Sequence, residues 1–320
     1  MCSSDLSNQS DDLLSLPYCQ IERLEYQLRT ALRVIGPLRG RALLSDEVGL
    51  GKTIEAGLVM KEYLTRGMIK RFLVLTVPSL VDQWEEELAG KFNLSTVTTN
   101  QPAFRADPAA FWREHPAIIA SLHTLKQPAH LEVARQVNWD LLVIDEAHYL
   151  RNRTSQAWQA VNALPRQFLL LLTATPVQNS LEELYNLVTL LQPGQLPSPE
   201  EFRDRFIDKR HPHQPREPEE LRRLLGQVMI RNTRANAGIQ LPPRRAETVL
   251  EDESRRRQRS RATQHAADGL RDLAVGQRFR GGHVHHILEL LIVDRPLDRR
   301  EHVVEADPRP VLVAAPEPRA

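Results

Sequence analysis

The sequence predicts an α/β fold, a mostly parallel sheet with helices on both faces. Three observations carry that expectation. Short apolar runs recur along the chain: Ala42–Leu44, Phe72–Val77, Ala117–Ser121, Asp140–Ile144 and Phe168–Leu172. Segments with helical spacing of apolar residues stand between several of them, and strands alternating with helices build parallel βαβ units covered on both faces. Three polar stretches, Ser45–Thr53, Asp145–Glu146 and Thr173–Thr175, each follow directly on one of these runs. Ligands of open parallel sheets sit outside the carboxyl ends of the strands, so the three stretches are expected to converge on one edge.

Taken in order, residues 1–16 are polar and acidic and predict a flexible lead-in. Ile21, Leu24, Leu28 and Leu32 recur at helical spacing up to Val34, and Gly36–Pro37 ends that helix. After the strand Ala42–Leu44, a second helix runs from Ile54 to Leu64, with Gly67 as its cap. Phe72–Val77 is the second strand, and Ser79 is placed as the N-cap of a helix through Trp84 to Gly90. Residues 95–116, rich in Thr, Ala and Pro, read as irregular. Ala117–Ser121, Asp140–Ile144 and Phe168–Leu172 are the third to fifth strands. Ser180–Glu183 has the form of a capping box opening a helix to Leu191, closed by Pro193–Gly194. Composition changes over 195–240, where Pro, Arg and His are frequent, within a protrusion and lobe-closing segment 195–250. Ser198–Pro199 starts a helix there, and Leu221–Ile230 reads as an amphipathic helix leading into Arg231–Arg234. That region is expected to be a helical elaboration beside a lobe formed by residues 17–194.

At 320 residues the chain is long enough for one large or two modest domains with a sizeable core. Its 42 basic and 41 acidic side chains nearly balance, so any nucleic-acid surface must be local. Cys2 and Cys19 show no metal-like spacing and build no disulfide framework, which fits a reducing cytoplasm. Met1–Ser15 lacks the pattern of a signal peptide, and no apolar run approaches membrane-spanning length. The expectation is a soluble intracellular protein without a membrane partner.

The strand, glycine-rich turn and helix around Ser45–Thr53 are the setting a phosphate-binding loop needs. Gly49 and Gly51, with Leu50 between them, let the backbone curl so that its N–H groups point at phosphate oxygens. Lys52 supplies a point charge to the β- and γ-phosphates, and the Thr53 hydroxyl suits Mg²⁺. Asp46 stands where the strict pattern has its first glycine. Nucleotide hydrolysis needs a metal ion near the phosphates and a group that positions water. Asp145 suits the metal and Glu146 the water; two acids also suit an ordinary strand-to-helix turn. His148 either couples the site to its surroundings or packs in that turn. Thr173 and Thr175, flanking Ala174, belong to the site or bond their own backbone. Gln27 both donates and accepts, which suits an adenine edge and equally an exposed helix position.

Together these motifs resemble helicase superfamily two, specifically the Swi/Snf-type DNA-dependent ATPases. The residues are Asp46-Glu-Val-Gly-Leu-Gly-Lys-Thr53, Val77-Pro-Ser-Leu-Val-Asp-Gln-Trp84, Asp145-Glu-Ala-His148 and Leu172-Thr-Ala-Thr-Pro-Val-Gln-Asn179. Glu47–Val48, Ile54–Gly57, Met229–Arg234 and Leu241–Arg245 look most like the bacterial branch typified by the RNA-polymerase-associated RapA/HepA ATPases. The resemblance covers about residues 20–250 and implies the first of two RecA-like lobes. It assigns Gln27 to adenine, Lys52 and Thr53 to phosphate and magnesium, and Asp145 and Glu146 to magnesium and water activation. Pro78, Ser79, Gln83, Trp84 and Ser121 fall in segments that track a nucleic-acid backbone. Thr173, Ala174 and Thr175, with His148, link hydrolysis to movement. The family uses ATP and Mg²⁺ and translocates on double-stranded DNA, remodelling complexes there. The resemblance implies a cytoplasmic, nucleoid-associated protein acting on RNA polymerase or another DNA-bound complex.

Residues 251–320 are too few for the second lobe, whose arginines stabilise charge on the transferring phosphoryl group. Nothing there matches that lobe's signature. Arg255–Arg257 forms a solvated helix face or a phosphate patch, and His283–His286 lacks further ligands at metal spacing. The expectation is an atypical tail on a truncated or frameshifted first lobe, with a separate chain supplying the second. A non-hydrolysing nucleotide- or DNA-binding module is therefore the alternative. A P-loop ATPase outside the helicases fits less well, because Pro78–Trp84 and Thr173–Asn179 resemble helicase motifs specifically.

Overall fold

The computed structural model describes residues 13–208 and 215–237. The apolar runs form a parallel sheet: β1 (Arg41–Leu44), β2 (Phe72–Thr76), β3 (Val97–Thr98), β4 (Ala117–Ser121), β5 (Trp139–Ile144), β6 (Arg166–Leu172) and β7 (Met229–Ile230). These seven strands stand in the order β3-β4-β2-β5-β6-β1-β7. The helices are α1 (Glu25–Ile35), α2 (Lys52–Thr65), α3 (Val81–Phe92), α4 (Pro102–Ala106), α5 (Pro108–Glu114), α6 (Leu122–Leu125), α7 (Pro128–Ala134), α8 (Gln156–Ala163), α9 (Leu181–Leu191), α10 (Pro199–Phe206) and α11 (Pro218–Leu225). Short 3₁₀ turns lie at Leu16–Tyr18, Pro78–Leu80 and Ala147–Leu150. The α/β class expected from the sequence is the observed one. No helix among the described residues is long and apolar enough to cross a membrane.

The strands alternate in which face they fill, although nearly every residue in them is apolar. Leu43, Leu73, Leu75, Leu142, Ile144, Leu169 and Leu171 pack on one side of the sheet with the helices α4 to α11. Ala42, Leu44, Phe72, Val74, Leu141, Val143, Leu170 and Leu172 pack on the other, against α1, α2 and α3. Each such leucine or valine contributes about 1.5–3 kcal/mol by burial. Register places the functional edge: Leu44 pairs Leu172, and Ile144 pairs Leu75 and Leu171. Central strands β1, β6, β5 and β2 thus end nearly flush, and the residues that follow them emerge side by side.

Several boundaries differ from the sequence expectation. Leu13 to Leu16 do not hang free: Leu13 is buried, and the N–H groups of Leu14 and Ser15 donate to the Glu62 carboxylate at 3.0 and 2.8 Å. The first helix begins at Glu25, later than Ile21. Ser79 lies inside the 3₁₀ turn before α3, so it does not cap that helix. Residues 95–116 contain β3, α4 and α5. Pro102 and Pro108 are the first residues of the two helices, and Asp107 caps the second by accepting from the Ala110 N–H at 2.9 Å. At Ser180 the capping box does not close, because Glu183 accepts instead from the Gln178 and Asn179 N–H groups. The segment 221–230 is not one helix. α11 stops before Gly226, and Met229–Ile230 returns to the sheet beside β1. Residues 251–320, including the arginine and histidine clusters, lie outside the described residues.

α2 crosses α3 where a side chain at residue 57 has no room: a Cβ there would lie 2.2 Å from the buried Phe92 ring. Gly57→Ala is therefore expected to destabilise the chain by about 1–3 kcal/mol through overpacking, despite the better helix propensity of Ala. A lowered urea midpoint checks this; an unchanged one means Phe92 has somewhere to go.

Candidate functional site

The loop between β1 and α2 curls through Gly49 (φ +86°) and Gly51 (φ +81°), backbone angles that L side chains rarely adopt. Gly51 opens α2, whose first N–H groups lack intrahelical acceptors and face outward. Lys52 Nζ donates to the carbonyls of Asp46 at 2.9 Å and Glu47 at 3.3 Å, so the loop holds its own lysine. Burial pulls the Lys52 ammonium below the ordinary lysine range, opposed by the charges of Asp46, Glu55, Glu146 and Asp145. Those last two acids are far away in sequence and close enough in space to act on Lys52.

Gln27 and Tyr26, on α1, both meet the loop. Gln27 Nε2 donates to the Leu50 carbonyl at 3.0 Å, and the Tyr26 hydroxyl donates to the same oxygen at 2.7 Å. Gln27 is buried rather than exposed on its helix, and a Cβ on Gly51 would sit 2.6 Å from its Nε2. The adenine-reading candidate is thus tied to the phosphate loop itself.

Asp46 is fully buried. Its carboxylate accepts from the Asn232 backbone N–H and from Asn232 Nδ2, both at 2.8 Å. The same amide reaches Thr30 Oγ1 at 3.0 Å and Glu55 Oε1 at 3.5 Å. Burial and the adjacent Asp46 charge push the Glu55 carboxyl well above the usual range. Its Oε2 has no hydrogen-bond partner among the described residues. Around this centre the segment 228–234 lines the loop: Ser45 and Glu47 N–H groups donate to the carbonyls of Ile230 and Asn232, Arg231 Nη1 donates to the Ser45 carbonyl, and Arg234 Nη2 donates to that of Val48. An aspartate replaces the usual glycine because it anchors a strand that arrives much later in the chain. Asn232→Leu, similar in volume and without donors, strands the Asp46 charge. The expected loss is at least about 1.5–3 kcal/mol, the worth of a hydrogen bond to a charged group. Urea unfolding checks it, and a native midpoint rules out the anchor.

Asp145 and Glu146 follow β5. Asp145 Oδ2 accepts from Trp84 Nε1 at 2.8 Å and Thr76 Oγ1 at 3.2 Å, and its Oδ1 accepts from the Glu146 N–H at 2.9 Å. Burial pushes the Asp145 carboxyl up, and the Trp84 donor pulls against it. Glu146 sits in the left-handed region (φ 51°, ψ 46°), a conformation that costs a side-chain-bearing residue roughly 1–2 kcal/mol. His148 Nδ1 lies 2.8 Å from Glu146 Oε2, and this partner holds the Glu146 carboxyl below its ordinary range. Among the described residues no three His, Cys, Asp or Glu side chains gather as a metal cage. Asp145 and the Thr53 hydroxyl fit Mg²⁺, a hard cation that takes one or two protein oxygens and fills its octahedron with phosphate and water.

Thr173 Oγ1 accepts from the Thr175 N–H at 3.2 Å, so part of this stretch does bond locally. Thr175 also meets Arg151, a residue that sequence reasoning missed. Arg151 Nη2 donates to the Thr175 carbonyl and, at 2.9 Å, to its hydroxyl. Its Nη1 reaches Gln178 Oε1 at 2.6 Å, and its Nε lies 3.7 Å from Glu183. Arg151 therefore joins the Glu146–His148 turn to the Thr173–Thr175 stretch. Its one sequence signal is its place just beyond the Glu146–His148 turn.

Of the five nucleic-acid candidates, Pro78, Ser79 and Gln83 are exposed around the start of α3. Trp84 and Ser121 are not. Trp84 is only 2 % exposed, its ring in the core and its N–H on Asp145. Ser121 caps α6, its hydroxyl accepting from the Thr124 N–H at 2.9 Å. On α3, successive residues Gln83 and Trp84 point about 100° apart, so one faces solvent while the other enters the core.

A family model described as the SNF2-related domain matches residues 27–275, reaching past the residue 250 at which the sequence resemblance ends. An uncharacterised ATP-dependent helicase of Bacillus subtilis (strain 168), YqhH, is 41% identical over 226 residues. That stretch is 71% of this chain and 39% of the relative, so the chain spans about two fifths of its length. Among solved structures, a Sulfolobus solfataricus SWI2/SNF2 ATPase core in complex with dsDNA matches with a TM-score of 0.59 at 24% identity, over 71% of this chain and 48% of the other. The core domain of the Sulfolobus solfataricus SWI2/SNF2 ATPase matches with a TM-score of 0.56, also at 24% identity, over 72% and 47%. These two likenesses show the fold.

Proposed function

The chain belongs to the SNF2-related domain family, and from that premise we propose that it is the ATP-binding lobe of a DNA-dependent ATPase. In this reading it hydrolyses ATP to move on duplex DNA or remodel complexes there. One observation carries the proposal: β1, β6 and β5 end nearly flush, so the loop bearing Lys52, the Thr173–Thr175 stretch and the Asp145–Glu146 pair emerge side by side at one edge of the sheet. A phosphate chain seated on the loop meets the N–H groups at the start of α2 and draws Lys52 Nζ from the Asp46 and Glu47 carbonyls onto its oxygens. Asp145 and Thr53 would hold Mg²⁺, which when bound neutralises charge on the phosphates. Glu146 orients the attacking water, its carboxylate kept ionised and aimed by His148. Gln27 presents an amide beside the loop to the base. Arg151 passes a change at the Glu146–His148 turn to Thr173–Thr175, and exposed Pro78, Ser79 and Gln83 offer polar contacts to a DNA backbone.

The Glu47–Val48 loop and the Met229–Arg234 segment support assignment to the RapA/HepA-like branch, since the two pack on each other. RNA polymerase or another DNA-bound complex is the target that branch implies, in a cytoplasmic, nucleoid-associated protein. A second reading, a non-hydrolysing ATP- or DNA-binding fragment completed by a partner chain, rests on the described residues building one sheet and so one lobe.

ATP turnover by the purified chain, with and without duplex DNA, tests both. DNA-stimulated turnover supports the first reading. ATP binding without turnover supports the second, and failure to bind ATP overturns both.

A further inference from the structure

Trp84 sits on α3, one residue beyond the exposed Gln83 and close to the exposed Pro78–Ser79 turn. Its ring is anchored in the core with Val81, Leu88 and Phe92 of the same helix. Its N–H is 2.8 Å from Asp145 Oδ2, the shorter of that oxygen's two side-chain donors. A buried indole N–H needs a partner, and a carboxylate that holds a cation needs its free lone pairs aimed. The two needs are met by one bond that spans 61 residues of sequence.

We infer that Trp84 is a positioning residue for the magnesium carboxylate, fixing the orientation of Asp145 so that α3 and the metal site move together. The inference rests on the nucleotide reading above and deepens it. The turn expected to contact the DNA backbone and the residue that aims Asp145 lie on one short, continuous stretch. A displacement of α3 on DNA then turns the carboxylate directly, without passing through Thr173–Thr175. Thr76 supplies a second, longer bond to the same oxygen from β2, so the carboxylate keeps one anchor when α3 shifts.

The test is a titration of Mg²⁺ into the chain with a fluorescent ATP analogue, following nucleotide binding rather than turnover. Trp84→Phe keeps a large aromatic ring and removes the donor. The expected result is unchanged affinity without Mg²⁺ and a Mg²⁺ midpoint raised about tenfold, the lower end of what loss of a partner to a metal ligand produces. A purely packing role lowers binding equally with and without Mg²⁺, and that outcome overturns the inference. Should the Phe variant fail to fold, benzothienylalanine at position 84, which puts sulfur where the indole has N–H, carries the same expectation and the same overturning result. A native chain with a clear Mg²⁺ midpoint that the variant shares removes Trp84 alone. A native chain that binds no analogue at any Mg²⁺ concentration removes the nucleotide reading and this inference with it.

Discussion

Glu146→Gln is expected to bind ATP as the native chain does and to turn it over at least about a hundredfold more slowly, within the ~10²–10⁴ range for loss of a group that handles a proton. The amide has the shape of the acid, so the effect isolates its charge and proton affinity. The backbone bond from the residue 146 N–H to Asp145 Oδ1 does not involve the side chain. The left-handed turn at this position therefore survives the change. What goes is the ionised oxygen beside His148. Parallel measurements of nucleotide affinity and of turnover with duplex DNA check the split. Turnover at the native rate removes Glu146 from its role, and loss of binding instead shows that its charge serves the ground state.

Lys52→Ala is expected to lower ATP affinity by roughly ten- to a hundredfold. The lysine contributes a charge-assisted bond worth roughly 1.5–3 kcal/mol, and in this loop it faces four carboxyl groups. Without it, Asp145 and Glu146 repel the phosphate chain. Helix α2 begins at residue 52, and Ala is the best helix former, so the far-ultraviolet circular dichroism spectrum is expected to stay native. Titration with the nucleotide and a spectrum of the same sample check both halves. Native affinity in the Ala variant excludes this loop as the phosphate site.

The central strands and the convergence of their ends were legible because each signal is local. Leu141–Ile144 announces a strand on its own, and the residue after a parallel strand lies at its carboxyl end by construction. Boundaries failed where two local signals competed. Residues 221–230 carry helical spacing, but Gly226 stops the helix and the Val228–Ile230 run is better satisfied beside β1, where the N–H groups of Leu43 and Ser45 find the carbonyls of Val228 and Ile230. The helices α4 and α5 were announced by Pro102 and Pro108 at their first turns, a signal outweighed by the Thr, Ala and Pro composition around it.

The sequence by itself determined the parallel α/β lobe, and it placed the glycine-rich loop and the two acids at its strand ends, since spacing and residue type suffice for these. Only the tertiary structure decided what the remaining polar groups do. Trp84 fell in a segment that the resemblance assigns to a nucleic-acid backbone and is a buried donor to Asp145. Asp46 looked like a deviation in the loop and is the acceptor for Asn232, 186 residues away. Arg151 carried no motif and joins two of them. The physical reason is common to all three. A buried polar atom must find a partner, and which partner it finds depends on what the fold brings within about 3 Å, a proximity that sequence spacing does not encode.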